Sequence, residues 1–250
     1  MPPIGLHLVL ADRLSKALGD VAVLNNLGPY LLGATAPDIR VLTREDRERT
    51  HFFDLSVDEH QDPVGRFLSE HDHLVDSAAL NPDTRGFVAG YISHLVMDEV
   101  YITRVYREYF RKHDEMGGKI RANVMDRLLQ FDLERTYGND PDLSSSICTA
   151  LSCTLENVDV GFIEAETLEK WRGVTKDVAE RNMDWERMRG MIANHLRRAG
   201  MDDGEEASEF LDSLPELLDE TIAHVTNAEV DGFIERSLEA AAGAVEAYLK

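Results

Sequence analysis

Gly90-Tyr91-Ile92-Ser93-His94-Leu95-Val96-Met97-Asp98-Glu99 places an imidazole and a carboxylate four positions apart inside an apolar run. The apolar residues do not alternate with polar ones, so the stretch is predicted to be helical. At a spacing of four, His94 and Asp98 project from one face, about one turn apart. Phe87, Tyr91, Tyr101, Ile102, Val105 and Tyr109 share that face, which is expected to look into a core. A carboxylate there needs a cation or strong donors, because burying it alone is costly. A metal ion would meet that need and would also engage the histidine. A histidine bonded to a carboxylate inside a helix bundle would meet it without metal.

Working outward, helical periodicity dominates and strand-like alternation is scarce. The chain is predicted to be all-α, a single multi-helix domain over residues 1–250. Residues 4–18 suit a helix with Leu10, Ala11, Leu14 and Leu18 on one side and His7 on that same side. Residues 27–34 are apolar and should end as a helix near Ala36-Pro37-Asp38, where proline breaks it. Thr43 to Arg49 reads as a charged connector, and residues 50–62 read as irregular. Pro63 is expected to open a helix with an inward stripe of Val64, Phe67, Leu68, His71, Leu74, Val75 and Ala78. After the Asn81-Pro82-Asp83 turn, a long helix should run from Arg85 to Lys112 and stop before Gly117-Gly118. Further helices are expected over 119–136, 143–157, 161–172, 174–199, 204–223 and 226–249.

The chain has 250 residues, 43% of them hydrophobic, and a formal net charge of −21. That field repels DNA and RNA, so a general nucleic-acid-binding role is excluded. A metal site would still attract phosphate locally, since a divalent ion inverts the nearby potential. The two cysteines, Cys148 and Cys153, form neither a disulfide framework nor a metal pattern. Met1-Pro2-Pro3 does not open a signal peptide, and no run approaches a membrane span. A cytoplasmic location is therefore expected, with no stable membrane anchor.

Six of the nine histidines precede residue 95. His94 with Asp98 is the strongest pair. Asp38 follows a proline at a presumed helix end and by itself reads as a turn aspartate. His51 precedes Phe52-Phe53 and could point inward. His7, on an apolar helix side, by itself reads as a core histidine. His71 and His73 face different directions, with His71 inward and His73 toward solvent. His60 sits in an acidic loop and reads as exposed. His113 would lie roughly 22 Å from Asp98 on a straight helix, too far to join it. His195, among Arg197 and Arg198, reads as a surface residue at a helix end. His224 falls on a polar helical edge with Glu220, Asn227 and Asp231. Neither a Ser-His-Asp nor a Cys-His arrangement has a local signature, and no Gly-rich phosphate loop is present.

The order of these residues carries more than any one of them. His7 in a first helix is followed by Leu32-Gly33-Ala34-Thr35-Ala36-Pro37-Asp38, then Thr50-His51-Phe52, then the Gly90–Asp98 stretch. This order resembles the zinc-dependent phospholipase C family, whose all-α fold is shared with single-strand-specific fungal nucleases. The resemblance covers roughly residues 1–110. It implies that Asp38, His51, His94 and Asp98 ligate one zinc ion, and that Asp98 bridges to a second ion held by His7. It also implies that Asp38 acts as a base on the attacking water. Mixed imidazole and carboxylate ligation suits zinc, and iron or manganese would accept it too. Secreted members of that family use the mature N-terminal residue as a ligand and carry a later histidine-histidine-glutamate set. This chain lacks that set, which points to one metal pair, or a single ion. His71 is a candidate for a missing ligand.

The expected function is a metal-dependent phosphoester hydrolase in which divalent ions activate water. Its substrate would be a small-molecule or lipid phosphoester. Tyr91, Tyr101 and Arg104 are candidate substrate contacts. Two alternatives stay open: an iron- or manganese-dependent enzyme of different chemistry, and a helical protein whose metal is structural or absent.

Overall fold

Three of the helices start at an Asx-Pro pair, and the caps show why. Asp62, Asn81 and Asp140 each precede a proline, and each side chain accepts a hydrogen bond from a backbone N–H of the first turn. The cap supplies a partner that the helix itself cannot, and proline at the first position gives up an N–H that would have had none. The computed structural model describes residues 2–19, 21–201 and 204–250, and among these every regular element is helical. The predicted all-α class holds.

In chain order the α-helices are α1 (Ile4–Leu18), α2 (Val21–Asn25), α3 (Leu27–Gly33), α4 (Arg40–Thr43), α5 (Arg47–His51), α6 (Pro63–Glu70) and α7 (Pro82–Tyr101). They continue with α8 (Lys119–Gly138), α9 (Pro141–Ala150), α10 (Ala165–Glu180), α11 (Trp185–Arg198), α12 (Glu205–Asp212), α13 (Leu214–Val225) and α14 (Asn227–Leu249). A 3₁₀ turn, Ala36–Ile39, carries Asp38 between α3 and α4.

Helix α7 is the axis of the molecule. Every residue from Gly86 to Asp98 is buried, so the expected single core-facing stripe is instead a helix enclosed on all sides. Glycine makes the enclosure close. A Cβ on Gly33 would stand 1.9 Å from the Phe87 carbonyl oxygen, and one on Gly90 would stand 2.0 Å from that of Tyr30. Helices α3 and α7 therefore interlock backbone to backbone, which only residues without side chains permit. On another side α14 packs along α7. Helix α1 lies between two apolar clusters. Its Leu6, Leu10 and Leu14 pack with Met97, Tyr101 and the helices α8, α11, α13 and α14, while Leu8 and Ala11 join the cluster of Tyr30, Phe67, Tyr91 and Trp171.

Several boundaries differ from expectation. Helix α6 stops at Glu70, because His71 leaves helical geometry at φ −127°, ψ 61°. The stripe predicted beyond it does not form, and Val75 is 52% exposed. The presumed connector before residue 50 contains α4 and α5. Past Tyr101 the long helix widens into a π-helix over Ile102–Phe110. The predicted 174–199 helix is two, since α10 passes through Gly173 and ends at Glu180. The 204–223 helix divides at Ser213.

Candidate metal centre

The site is built by four elements that the interlocked α3 and α7 hold in place. Helix α1 brings His7, the 3₁₀ turn brings Asp38, α5 ends on His51, and α7 supplies His94 and Asp98. Trp171 of α10 is fully buried and donates its indole N–H to Thr35 Oγ1 at 3.1 Å. This fixes the start of the Asp38 turn from the second half of the chain.

The donor atoms converge. His7 Nε2 lies 3.3 Å from Asp98 Oδ1, and His51 Nε2 lies 3.5 Å from both Asp38 Oδ1 and Asp98 Oδ2. His94 Nε2 is 3.4 Å from His51 Nε2 and 3.9 Å from Asp98 Oδ2. The His7 and His94 rings stack with centroids 3.7 Å apart. A tetrahedron of metal bonds about 2.1 Å long has edges of about 3.4 Å, so these separations fit ligands around a common ion.

The tautomers sharpen the fit. His94 Nδ1 is 2.9 Å from the Ala34 carbonyl oxygen. A carbonyl only accepts, so the ring proton is on Nδ1 and the lone pair is on Nε2. His51 Nδ1 is 2.9 Å from Thr50 Oγ1, and that hydroxyl donates to the Arg47 carbonyl oxygen at 3.3 Å. The hydroxyl therefore accepts from His51, and the His51 lone pair also falls on Nε2. Two buried lone pairs then face each other with no proton between them. Such an arrangement repels unless a cation takes the space, and N–H bonds from the far ring nitrogen to a fixed acceptor are what orient metal-binding histidines. Among the described residues, both ring nitrogens of His7 and Asp98 Oδ1 find no hydrogen-bond partner. Their 3.3 Å approach is close without being aligned as a hydrogen bond.

The electrostatics keep the ligands in binding form. Burial, then the neighbouring His7, pushes the His94 imidazolium down to a pKa of about 3, so the ring is neutral. Burial would raise the carboxyl of Asp98, but His7, His94, His51 and Arg47 outweigh it and hold the group well below the usual carboxylate range. Burial also acts against ionised Asp38. The adjoining side chain of His51, then His94, outweighs it and brings that carboxyl down to about 2.

The partition of atoms limits what can be held. His94 has one free nitrogen, so it can serve one ion only. The donor atoms fall into two overlapping triads, Asp38–His51–His94 and His7–His94–Asp98, the ligand atoms of each lying within 4.8 Å of one another. Because His94 belongs to both triads and can serve only one of them, an ion in either triad leaves the other with two donors: Asp38 and His51, or His7 and Asp98. Four of the five side chains are at most 4% exposed, while that of Asp38 is 18% exposed. Asp38 forms part of the wall of a cavity of about 450 Å³, so the cluster communicates with solvent through this one residue.

Sequence reasoning missed Arg47. Its guanidinium donates to Asp98 Oδ2 at 2.9 Å and to the Phe53 carbonyl oxygen at 3.1 Å. The signal was available: Arg47 precedes His51 by four residues, the same spacing as His94 and Asp98, within a stretch read as a connector.

His71 is not brought to the cluster. Its ring stacks on Phe162 at 4.2 Å and meets Phe52 and Phe67 edge-on, because α6 ends before the inward stripe reaches it. Tyr91 and Tyr101 are buried and bond within the fold, to the Thr50 carbonyl oxygen and to Asp126, so neither is a substrate contact. Arg104 is exposed on the π-helix. His60 is exposed, 3.8 Å from Glu99, and the exposed His224 bonds to the Tyr109 carbonyl oxygen. His195 is half-buried and lines the cavity beside Asp38, not the open surface expected for it. Among the described residues no helix is long and apolar enough to cross a membrane. Comparison with family models, with curated proteins and with solved structures finds no match.

Proposed function

We propose that this chain is a metal-dependent hydrolase of phosphoesters, with His7, Asp38, His51, His94 and Asp98 as the metal ligands. One observation carries the metal part of this reading: the facing Nε2 lone pairs of His51 and His94, 3.4 Å apart in a buried space. The hydrolytic part rests on the resemblance in the order of these residues and on the opening of the cluster into a cavity at Asp38. Zinc suits the three imidazoles and two carboxylates, and iron or manganese would also be accepted.

When bound, a divalent ion supplies Lewis acidity and a water of lowered pKa. The chain's own residues do the rest. Asp98 offers its two oxygens to two sides of the cluster. Asp38 faces the cavity as a permanent anion, so it orients a water by accepting its hydrogen bond. With a pKa near 2 it holds a transferred proton only weakly, which makes orientation its larger part. The buried histidines exclude solvent behind the reacting groups.

Arg47 favours a second reading. It gives Asp98 the cation that burial demands without any metal, and the cluster would then be a closed ion-pair network in a non-catalytic helical protein.

Elemental analysis of untagged protein, wild type and Asp98→Ala, separates the readings. One or two zinc ions per chain, lost in the variant, together with zinc-dependent release of p-nitrophenol from its phosphate esters, supports the hydrolase. Iron or manganese with oxygen consumption moves the chemistry to a redox enzyme. A protein that takes up no metal even when metals are added leaves the ion-pair network.

A further inference from the structure

The cavity outside Asp38 is lined by four arginines in a chain that is strongly acidic. The chain carries 47 acidic residues against 26 Lys and Arg, yet Arg40, Arg127, Arg187 and Arg198 all line this one chamber. Among the described residues, none of the four lies within 4.0 Å of a carboxylate, although many other basic side chains of the chain do; Arg40, Arg127 and Arg187 each use one nitrogen on neutral oxygens, those of the Glu45 carbonyl, of the Gln130 side chain and of the Arg181 and Asn182 carbonyls. Periodicity places them. Arg187, Met191, Asn194, His195 and Arg198 recur at three and four along α11 and form one face of it, and Arg127, Phe131 and Glu134 do the same on α8. Two helices therefore turn guanidinium-bearing faces toward each other across a space that ends at Asp38. The carboxylates in the lining are Asp38 itself and Glu134. Burial, then Arg127, holds the His195 imidazolium below its ordinary pKa against the opposing pull of Asp126.

Guanidinium groups that face no carboxylate around a concave space are suited to phosphate or carboxylate, which they bind through paired N–H donors. We propose that this chamber binds a phosphate-type anionic group of the substrate, distinct from the ester group at the Asp38 end, so that the substrate is a molecule with at least two anionic groups. The second clause rests on the hydrolase reading; the anion site itself does not. The bound group belongs either to a soluble phosphorylated compound or to an anionic lipid. Exposed Val41 and Met191 at the same cavity give an apolar portion somewhere to lie.

The test uses pyrophosphate and full-length, chelator-treated protein in titration calorimetry, so that no metal contributes. Saturable binding is expected, weakened roughly tenfold per guanidinium removed in Arg127→Gln and Arg198→Gln, and retained in Asp98→Ala. Circular dichroism confirms that each variant is folded, and Arg198→Lys, which keeps the charge, should lose less than Arg198→Gln. Sedimentation with phosphatidylglycerol vesicles locates the source. Vesicle binding displaced by pyrophosphate identifies a lipid headgroup, and pyrophosphate binding without vesicle binding identifies a soluble compound. No saturable binding of either probe, or binding indifferent to the arginine substitutions, overturns the proposal. Wild-type protein that takes up no added metal yet binds pyrophosphate would remove the hydrolase reading and leave the anion site.

Discussion

Arg47 Nη2 reaches Asp98 Oδ2 at 2.9 Å, on the same oxygen that His51 approaches at 3.5 Å. One carboxylate oxygen is thus offered both to a fixed organic cation and to the place where a metal would sit. The two side chains are 12% and 4% exposed, so the pair is buried, and removing one partner of a buried pair leaves an uncompensated charge. In chelator-treated protein Arg47→Met should lower the unfolding free energy by about 3 kcal/mol, read from urea denaturation. Zinc should restore most of that loss, because the ion supplies the missing charge. Equal losses with and without zinc would show that the guanidinium and a metal are not interchangeable here.

Gly90 tests the link between packing and ligation. A Cβ there meets the Tyr30 carbonyl oxygen at 2.0 Å and the Ala34 amide nitrogen at 2.7 Å, both backbone atoms that cannot swing aside. Gly90→Ala should cost about 3 kcal/mol. It should also weaken zinc uptake, because Ala34 holds the His94 ring in its metal-facing tautomer. Gly243, exposed in α14 with nothing within 4 Å of its virtual Cβ, is the control. Gly243→Ala should stabilise by about 0.5–1 kcal/mol and leave zinc uptake unchanged. Thermal melts and a zinc titration on both variants read the contrast.

Glu134 carries a pH signature. Burial raises its carboxyl from 4.5 to about 7, against the opposing pull of Arg187. The folded chain therefore keeps a proton that the unfolded chain releases between pH 4.5 and 7. The associated stability is fully present below pH 4.5 and is lost as the pH rises through 7. Glu134→Gln should accordingly raise Tm at pH 8, by an amount corresponding to about 1–3 kcal/mol, and change it little at pH 4.5. A variant no more stable at pH 8 than the wild type would place the charge of Glu134 in better solvation than its burial implies.

His71 gives the negative case. Its ring belongs to the aromatic group of Phe52, Phe67 and Phe162. His71→Phe should leave the metal content unchanged, whereas His51→Ala should reduce it. A loss of metal in His71→Phe would reinstate His71 as a ligand.

The helical class was readable because α1, α7 and α8 repeat apolar residues at three and four over long stretches. The convergence of His7, Asp38, His51, His94 and Asp98 was readable from their order. Burial on one side of α7 was legible and burial on all sides was not, since periodicity records which residues are polar and not how many neighbours surround them. Only Gly33 and Gly90, read as an interlocking pair, would have told of it. His71 was misplaced because a helix end set by backbone geometry leaves no mark in an apolar pattern that continues to Ala78. Arg47 and the arginine faces of α8 and α11 escaped for a common reason. A charge that faces a cavity has the same sequence spacing as a charge that faces water.

The packing of α14 along α7 sets an order of events during synthesis. A ribosome that has released Asp98 has made all five clustered side chains but not Asn227–Leu249. Until that helix arrives, α7 lacks one of its walls, and the links of Arg85 to the Leu249 carbonyl oxygen and of Tyr248 to that of Leu74 cannot form. The helix that carries His94 and Asp98 is therefore made long before a segment that covers one of its sides, and its apolar flank waits on residues from the far half of the chain.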